Sequence, residues 1–335
     1  MKEGNLKRRI YSLIHWSGVA QLAAAIAPGV PVLAYHGVTA QPEGDGSNLR
    51  RLHVPRALFA RQLEWLRTHR EPLTLEELRT RIAARRSLPR RAVVLTFDDG
   101  YRNFATQAWP LLVQYGIPAT LFVPTDGGGE RFWQDALETA ALHAGVEQLD
   151  WARPGLSLRT PAQRVTAALQ LVTALERMPS GQEHVAASLC ERLQPSPAPP
   201  DEDRDRLSWD ELRALRAPGL DIGSHADRHQ ALTRRPEQEV AEALVSSHQA
   251  LQRELGPGTY ALSYPFGARS ASVRRAAQAA GFTCAVTGVP KLARRGSSLF
   301  DLPRLLVGAD DDEARLRVIT SGLRGLWQRD PWPDA

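Results

Sequence analysis

The chain has 335 residues, 43% of them apolar and 24% charged, which excludes a disordered or collagen-like polymer and leaves room for a large core. Two cysteines, Cys190 and Cys284, exclude a disulfide framework, and neither lies in a C-x-x-C pattern, so the chain is compatible with a reducing compartment. The formal net charge of +5 does not point to nucleic acid: only Lys2, Lys7 and Lys291 are lysines, the basic runs Lys7-Arg8-Arg9 and Arg90-Arg91 are short, and acidic runs such as Asp201-Glu202-Asp203 and Asp310-Asp311-Asp312 interrupt them.

Residues 1–29 read as an N-terminal helix with Leu6, Ile10, Leu13 and Ile14 on one side, lying on the domain or making peripheral contact with a membrane surface. The basic triplet before Ile10 and the small residues Ala23-Ala24-Ala25 also suggest a signal peptide, but His15, Ser17, Gly18 and Gln21 spoil its apolar segment; an uncleaved, cytoplasmic chain is the expectation. Apolar runs then predict buried strands at 30–35, 92–97, 119–123, 220–224 and 260–264. Between them the period becomes helical, at 55–69, 103–115, 236–255 and 270–280. Thr74 with Glu77 and Ser208 with Glu211 form capping boxes ahead of two further helices. Alternating strands and helices argue for an α/β barrel or a doubly wound sheet over 30–310. From about 130 to 205 no strand is evident; this is a helical insertion ending in the stiff connector Pro195-Ser196-Pro197-Ala198-Pro199-Pro200. Residues 311–335 read as a C-terminal helix and tail.

Polar residues collect where the strands end, which is where such folds build active sites. The strand at 92–97 runs into Asp98-Asp99-Gly100, where the glycine permits a tight turn and adjacent carboxylates point in different directions. One can bind a metal while the other faces water. The strand at 220–224 runs into His225, with His229 four residues on. The two imidazoles can meet on one cation if the segment makes a helical turn. Either motif alone is ordinary: Asp-Asp-Gly is a common turn, and histidine pairs arise by chance.

Together, Thr96-Phe97-Asp98-Asp99-Gly100, Ser224-His225-x-x-x-His229 and Tyr264-Pro265-Phe266-Gly267 closely resemble the first three motifs of the polysaccharide deacetylases, the NodB-homology domain of carbohydrate esterase family 4. The resemblance runs from about Pro31 to Gly308 outside the insertion. It implies a distorted (β/α) barrel, with Asp98 as general base and Asp99, His225 and His229 as ligands of a divalent metal, usually Zn2+, with Co2+ or Ni2+ also serving. Tyr264, Pro265, Phe266 and Gly267 would line the groove, the Phe266 N–H facing the oxyanion. Two departures stand out. The arginine that opens the third motif in many members is replaced by Ala261-Leu262-Ser263-Tyr264, and Arg304 of Leu302-Pro303-Arg304 is a candidate to orient the base instead. No histidine follows His248, so the late motif that carries the general acid is missing; the chain resembles the subgroup with an N-terminal Tyr-His strand, here Tyr35-His36, which makes His36 the candidate acid. A satisfied histidine at a strand end is the ordinary alternative.

Trp133 and Trp209 could stack on sugars or pack in a core. Asp301 could orient a catalytic partner or lie at the surface, and His248 reads as a surface residue. No G-x-S-x-G elbow surrounds Ser12, Ser17 or Ser180. The function this implies is metal-dependent removal of N-acetyl groups from an amino sugar in a polysaccharide, oligosaccharide or glycolipid. The alternatives are an O-acetyl or N-formyl hydrolase and a catalytically silent glycan-binding domain.

Overall fold

The computed structural model describes residues 29–40, 51–151, 155–178, 181–197, 204–217 and 219–323. The N-terminal helix expected over 1–29 lies, but for Gly29, outside them, as does the tail beyond 323. Among the described residues the chain divides into two compact units, one made of 29–40, 52–128 and 207–323, the other of 129–206 with Arg51.

Among its described residues the larger unit is built on a sheet of eight strands: β1 Val32–Tyr35, β2 Glu71–Leu73, β3 Ala92–Phe97, β4 Ala119–Val123, β5 Asp221–Ser224, β6 Leu262–Ser263, β7 Ala285–Val286 and β8 Leu305–Leu306. All pairings are parallel, in the order β7-β6-β5-β4-β3-β1-β8, with β2 added beside the start of β3. The two ends of this sheet are stitched by one segment. Leu302 bridges to Val286 of β7, and three residues later Leu305 pairs with Leu33 of β1. The sheet thereby curls into a distorted (β/α) barrel, and Arg304 sits in the stitch.

Period-2 alternation sorts the side chains. Leu33, Tyr35, Leu95, Phe97, Leu121 and Val123 face outward into a core shared with α1 Arg56–His69, α3 Trp109–Tyr115 and α5 Glu237–Leu255. Val32, Val94, Phe122, Val286 and Leu302 face the other way, packed with Leu75, Leu78 and Ile82 of α2 Leu75–Ala83. Thr96 and Asp98 continue the Val94 face, so alternation alone aims Asp98 into the barrel mouth. Both anticipated capping boxes form, Thr74 with Glu77 before α2 and Ser208 with Glu211 before α4 Trp209–Arg216. Ser270 caps α6 Ala271–Ala279 and Asp312 caps α7 Glu313–Thr320.

Two expectations need correction. The helix expected over 103–115 opens as a π-turn, Phe104–Ala108, before becoming α3. Pro110 has no N–H to donate, and the Trp109 N–H reaches back five residues to the Phe104 carbonyl. The strand expected over 260–264 pairs only at Leu262–Ser263, because Tyr264 already enters the turn that follows.

Among its described residues the smaller unit has three helices, Trp133–Leu142, Pro161–Glu176 and Gln182–Leu193, around its own core of Leu137, Leu171, Val172, Leu175 and Leu189. It also contains an unexpected antiparallel pair, Gln148–Leu149 with Leu156–Ser157, too short to show alternation in sequence. A third capping box, Thr160 with Gln163, starts its longest helix. Among the described residues no helix is long and apolar enough to cross a membrane.

Candidate metal and catalytic site

At the end of β3 the Asp98 N–H still donates to the Tyr35 carbonyl at 2.9 Å, extending the ladder by one residue. Asp99 then turns left-handed, φ 76°, followed by Gly100 at φ 70°. Only the glycine was anticipated as the turning residue. The left-handed φ of Asp99 sets its carboxylate relative to that of Asp98, and both are almost fully buried. A non-glycine residue in this region costs of order 1 kcal/mol, the kind of strain often stored at functional sites.

β5 delivers His225, whose N–H donates to the Val123 carbonyl at 2.7 Å. His225 and His229 do converge, but not through a helical turn. Ala226 is left-handed, φ 65°, and residues 227–230 form a bend. The expected i, i+4 geometry is replaced by a loop that doubles back. Nε2 of each histidine lies 3.4 Å from Asp99 Oδ1, and the three ligand atoms fall within 4.8 Å of one another.

These residues fit a divalent cation. Asp99 Oδ1 is buried with no hydrogen-bond partner among the described residues, although it sits between two imidazoles. His225 Nδ1 lies 2.8 Å from the Ser263 carbonyl, an acceptor only, so Nδ1 carries the proton and Nε2 presents its lone pair. Burial would raise the Asp99 carboxyl, but His229, His225 and His36 outweigh it and hold Asp99 far below the usual carboxylate range. His225 itself is drawn upward by Asp98 and Asp99 despite its burial, so a proton competes with a metal for it.

Residues 85–285 match the family model described as polysaccharide deacetylase. The chain belongs to the polysaccharide deacetylase family. It is 33% identical over 123 residues to the poly-beta-1,6-N-acetyl-D-glucosamine N-deacetylase of Escherichia coli (strain K12), a match covering 36% of this chain and 17% of that protein. It is 34% identical over 84 residues to the protein of the same name from Staphylococcus aureus (strain N315), covering 25% of this chain and 29% of the relative. The matches thus span less than a third of either relative. Among solved structures, the deacetylase PplD of Streptococcus pyogenes in complex with acetate superposes with a TM-score of 0.60 at 18% identity, covering 88% of this chain and 99% of that one. IcaB from Ammonifex degensii gives 0.56 at 22% identity, covering 88% and 98%. These likenesses show the fold.

In this polysaccharide deacetylase chain, Arg304 grips Asp98 with a bidentate fork, at 2.8 Å to Oδ1 and 2.6 Å to Oδ2. Its other donors go to Thr96 Oγ1 at 3.1 Å, Ser263 Oγ at 2.9 Å and the Thr287 carbonyl at 3.0 Å. All five guanidinium N–H groups are therefore spent, and the guanidinium cannot rotate without breaking several bonds. Burial would raise Asp98, but Arg304 and His225 outweigh it and the net direction is down: the carboxyl stays ionised. Ser263 serves both sides of the site, its carbonyl orienting a ligand histidine and its hydroxyl accepting from Arg304.

His36 follows β1 at the same mouth, partly buried, its Nδ1 without a hydrogen-bond partner among the described residues. Burial pushes its pKa down, against the pull of Asp99 and Asp98. The strand after it, Gly37–Thr39, pairs with His53–Pro55, and buried His53 meets buried Asn103, Nδ1 to Nδ2, at 2.6 Å. A side chain at position 37 would collide with both. Neither His53 nor Asn103 was singled out from sequence, because their contact spans 50 residues.

The third motif needs correction. Of Tyr264, Pro265, Phe266 and Gly267, only Phe266 is exposed. Tyr264 is fully buried, its ring in the outer core and its hydroxyl donating to the Phe300 carbonyl at 3.1 Å, so it supports the turn rather than lining the groove. Gly267, at φ 72°, lies against the Gly288 backbone. The N–H groups of Gly267 and Ala268 are spent inside the turn. Phe266, left-handed at φ 59°, holds its ring 4.6 Å from that of His229. Trp133 and Trp209 each pack on the core of their own unit. Asp301 pairs with Arg269 at 2.8 Å. His248 is half-buried rather than superficial, edge-on to Tyr260 and Phe282.

Proposed function

We propose that this chain is a metal-dependent N-deacetylase acting on an N-acetylated glycan, with the β-1,6-linked N-acetylglucosamine polymer named for its relatives as the substrate class to test first. The observation that carries the reading is the pairing, at one barrel mouth, of an Asp99–His225–His229 cluster with an adjacent carboxylate, Asp98, locked by Arg304. That lock also weighs against a silent binding module, since Asp98 is held by an arginine from the segment before β8 although the arginine expected in the third motif is absent.

When bound, a divalent cation, zinc by its two nitrogens and one oxygen and replaceable by cobalt or nickel, supplies Lewis-acid polarisation and makes water more acidic. Asp98, ionised and immobile, takes the proton of the attacking water as oxygen adds to the acetyl carbonyl. The Phe266 N–H, on the exposed corner of the third motif, faces the charge that develops on the carbonyl oxygen. His36 in its protonated form gives that proton to the amide nitrogen as the C–N bond breaks, acetate and a free amino sugar leave, and the proton collected by Asp98 returns His36 to its acid form. Phe266 offers its ring face to the sugar.

The test is acetate or formate release from matched N-acetyl, O-acetyl and N-formyl oligosaccharides by the metal-reconstituted protein. Release from the N-acetyl series is expected. Turnover confined to O-acetyl or N-formyl substrates would replace this reading, and glycan binding without turnover of any of them would end it.

A further inference from the structure

The left-handed Ala226 sits between one metal-ligand candidate and the loop that brings back the other, so whatever holds Ala226 sets the distance between His225 and His229. Its two backbone groups are held separately. The N–H donates to Ser224 Oγ at 2.9 Å, and the carbonyl accepts from the Thr125 N–H at 3.1 Å and lies 3.2 Å from Thr125 Oγ1. Both hydroxyls converge on Ser247 of α5, with Ser224 Oγ at 2.7 Å and Thr125 Oγ1 at 2.9 Å from Ser247 Oγ. Ser224 and Ser247 are fully buried. Thr125 Oγ1 has one proton, which it directs to Ser247 Oγ or to the Ala226 carbonyl, and Ser224 and Ser247 share a bond in which either hydroxyl donates, so the three hydroxyls tie the Ala226 backbone to α5.

We propose that Ser247, whose hydroxyl bonds those of Ser224 and Thr125, is a positioning residue for the metal site: it closes a hydroxyl clamp that holds Ala226 left-handed and so keeps His225 and His229 at ligand spacing. The inference rests on the metal-site reading above. Alanine prefers the right-handed region by roughly 1–2 kcal/mol, so the loop has reason to relax once the clamp opens. Glycine has no such preference. The loss on opening the clamp should therefore be repairable at position 226 itself, which a general loss of core packing would not be.

The experiment is a Co2+ titration followed by the visible d–d absorption, with thermal unfolding of each metal-free variant alongside. Wild type should bind one Co2+. Ser247→Ala should bind on the order of 10-fold more weakly with an altered band shape, as expected for loss of an outer support of a metal site. Thr125→Val, which keeps the shape but removes one arm, should show a smaller loss in the same direction. Ala226→Gly added to Ser247→Ala should restore most of the affinity and the wild-type spectrum. If wild type binds no Co2+, the metal-site reading itself fails. If wild type binds and both Ser247→Ala and Thr125→Val bind equally well, or if glycine at 226 restores nothing, Ser247 is not a positioning residue. Should Ser247→Ala fail to fold, Thr125→Val with and without Ala226→Gly decides the question alone.

Discussion

Replacing Arg304 by Met tests the electrostatic core of the site. The guanidinium is almost fully buried and makes five hydrogen bonds, two of them a fork onto Asp98, which is itself 4% exposed. Methionine approximates the volume but leaves the carboxylate in a low-dielectric mouth without its main counter-charge. Removing one partner of a buried pair costs about 3–5 kcal/mol, because a buried charge is stranded. At about 2–4 °C per kcal/mol for a unit of this size, Tm should fall by on the order of 10 °C. Burial, the largest influence on Asp98 and opposed chiefly by Arg304, would then dominate, so the acid limb of the pH–rate profile should move to higher pH and turnover at pH 7 should drop by roughly 100-fold. Adding Asp98→Asn to Arg304→Met removes the stranded charge, and should recover part of the stability while activity stays low. Urea unfolding and pH-dependent acetate release measure the two effects separately. A variant within about 1 kcal/mol of wild type and with an unmoved acid limb would refute the argument.

His36→Ala should lower turnover by about 100-fold while bound metal per chain is unchanged, read by acetate release and elemental analysis; unchanged turnover would remove His36 from the chemistry. Asp98 and Asp99 are both held below their unfolded value near 4, so their contribution to the stability of the metal-free protein is complete above about pH 5 and lost as pH falls through the folded values. Urea unfolding between pH 6 and 3 should show this fall, shallower in Asp98→Asn; an identical slope in the two proteins would contradict it. Gly267→Ala forces a side chain into left-handed backbone with its Cβ 2.5 Å from the Gly288 nitrogen, and should cost about 2–4 kcal/mol by the same measurement.

The reacting groups are readable from sequence where a single strand delivers them. Val94, Thr96 and Asp98 share one face by alternation, and His225 ends an apolar run. Arg304 is readable as a candidate because it occurs within Leu302-Pro303-Arg304, but its five acceptor atoms come from three other segments, those of Thr96 and Asp98, of Ser263 and of Thr287, and no local pattern encodes them. The left-handed Asp99 and Ala226 are hidden for another reason: neither is glycine, and the backbone of Ala226 is held in part by Thr125, a residue remote in sequence. Tyr264 shows the converse. A motif residue two positions from the exposed Phe266 is turned inward by core packing, so closeness in sequence does not amount to shared exposure.

The most direct measurement is acetate release from an N-acetylglucosamine oligomer by wild type, Asp98→Asn and Asp99→Ala, each stripped of metal and then titrated with Zn2+. Wild type should regain activity in proportion to one bound ion per chain. Asp98→Asn should bind the ion and release almost no acetate, and Asp99→Ala should lose both ion and activity. Acetate release by the stripped wild type, or by Asp98→Asn at the wild-type rate, would contradict the assignment of base and ligands.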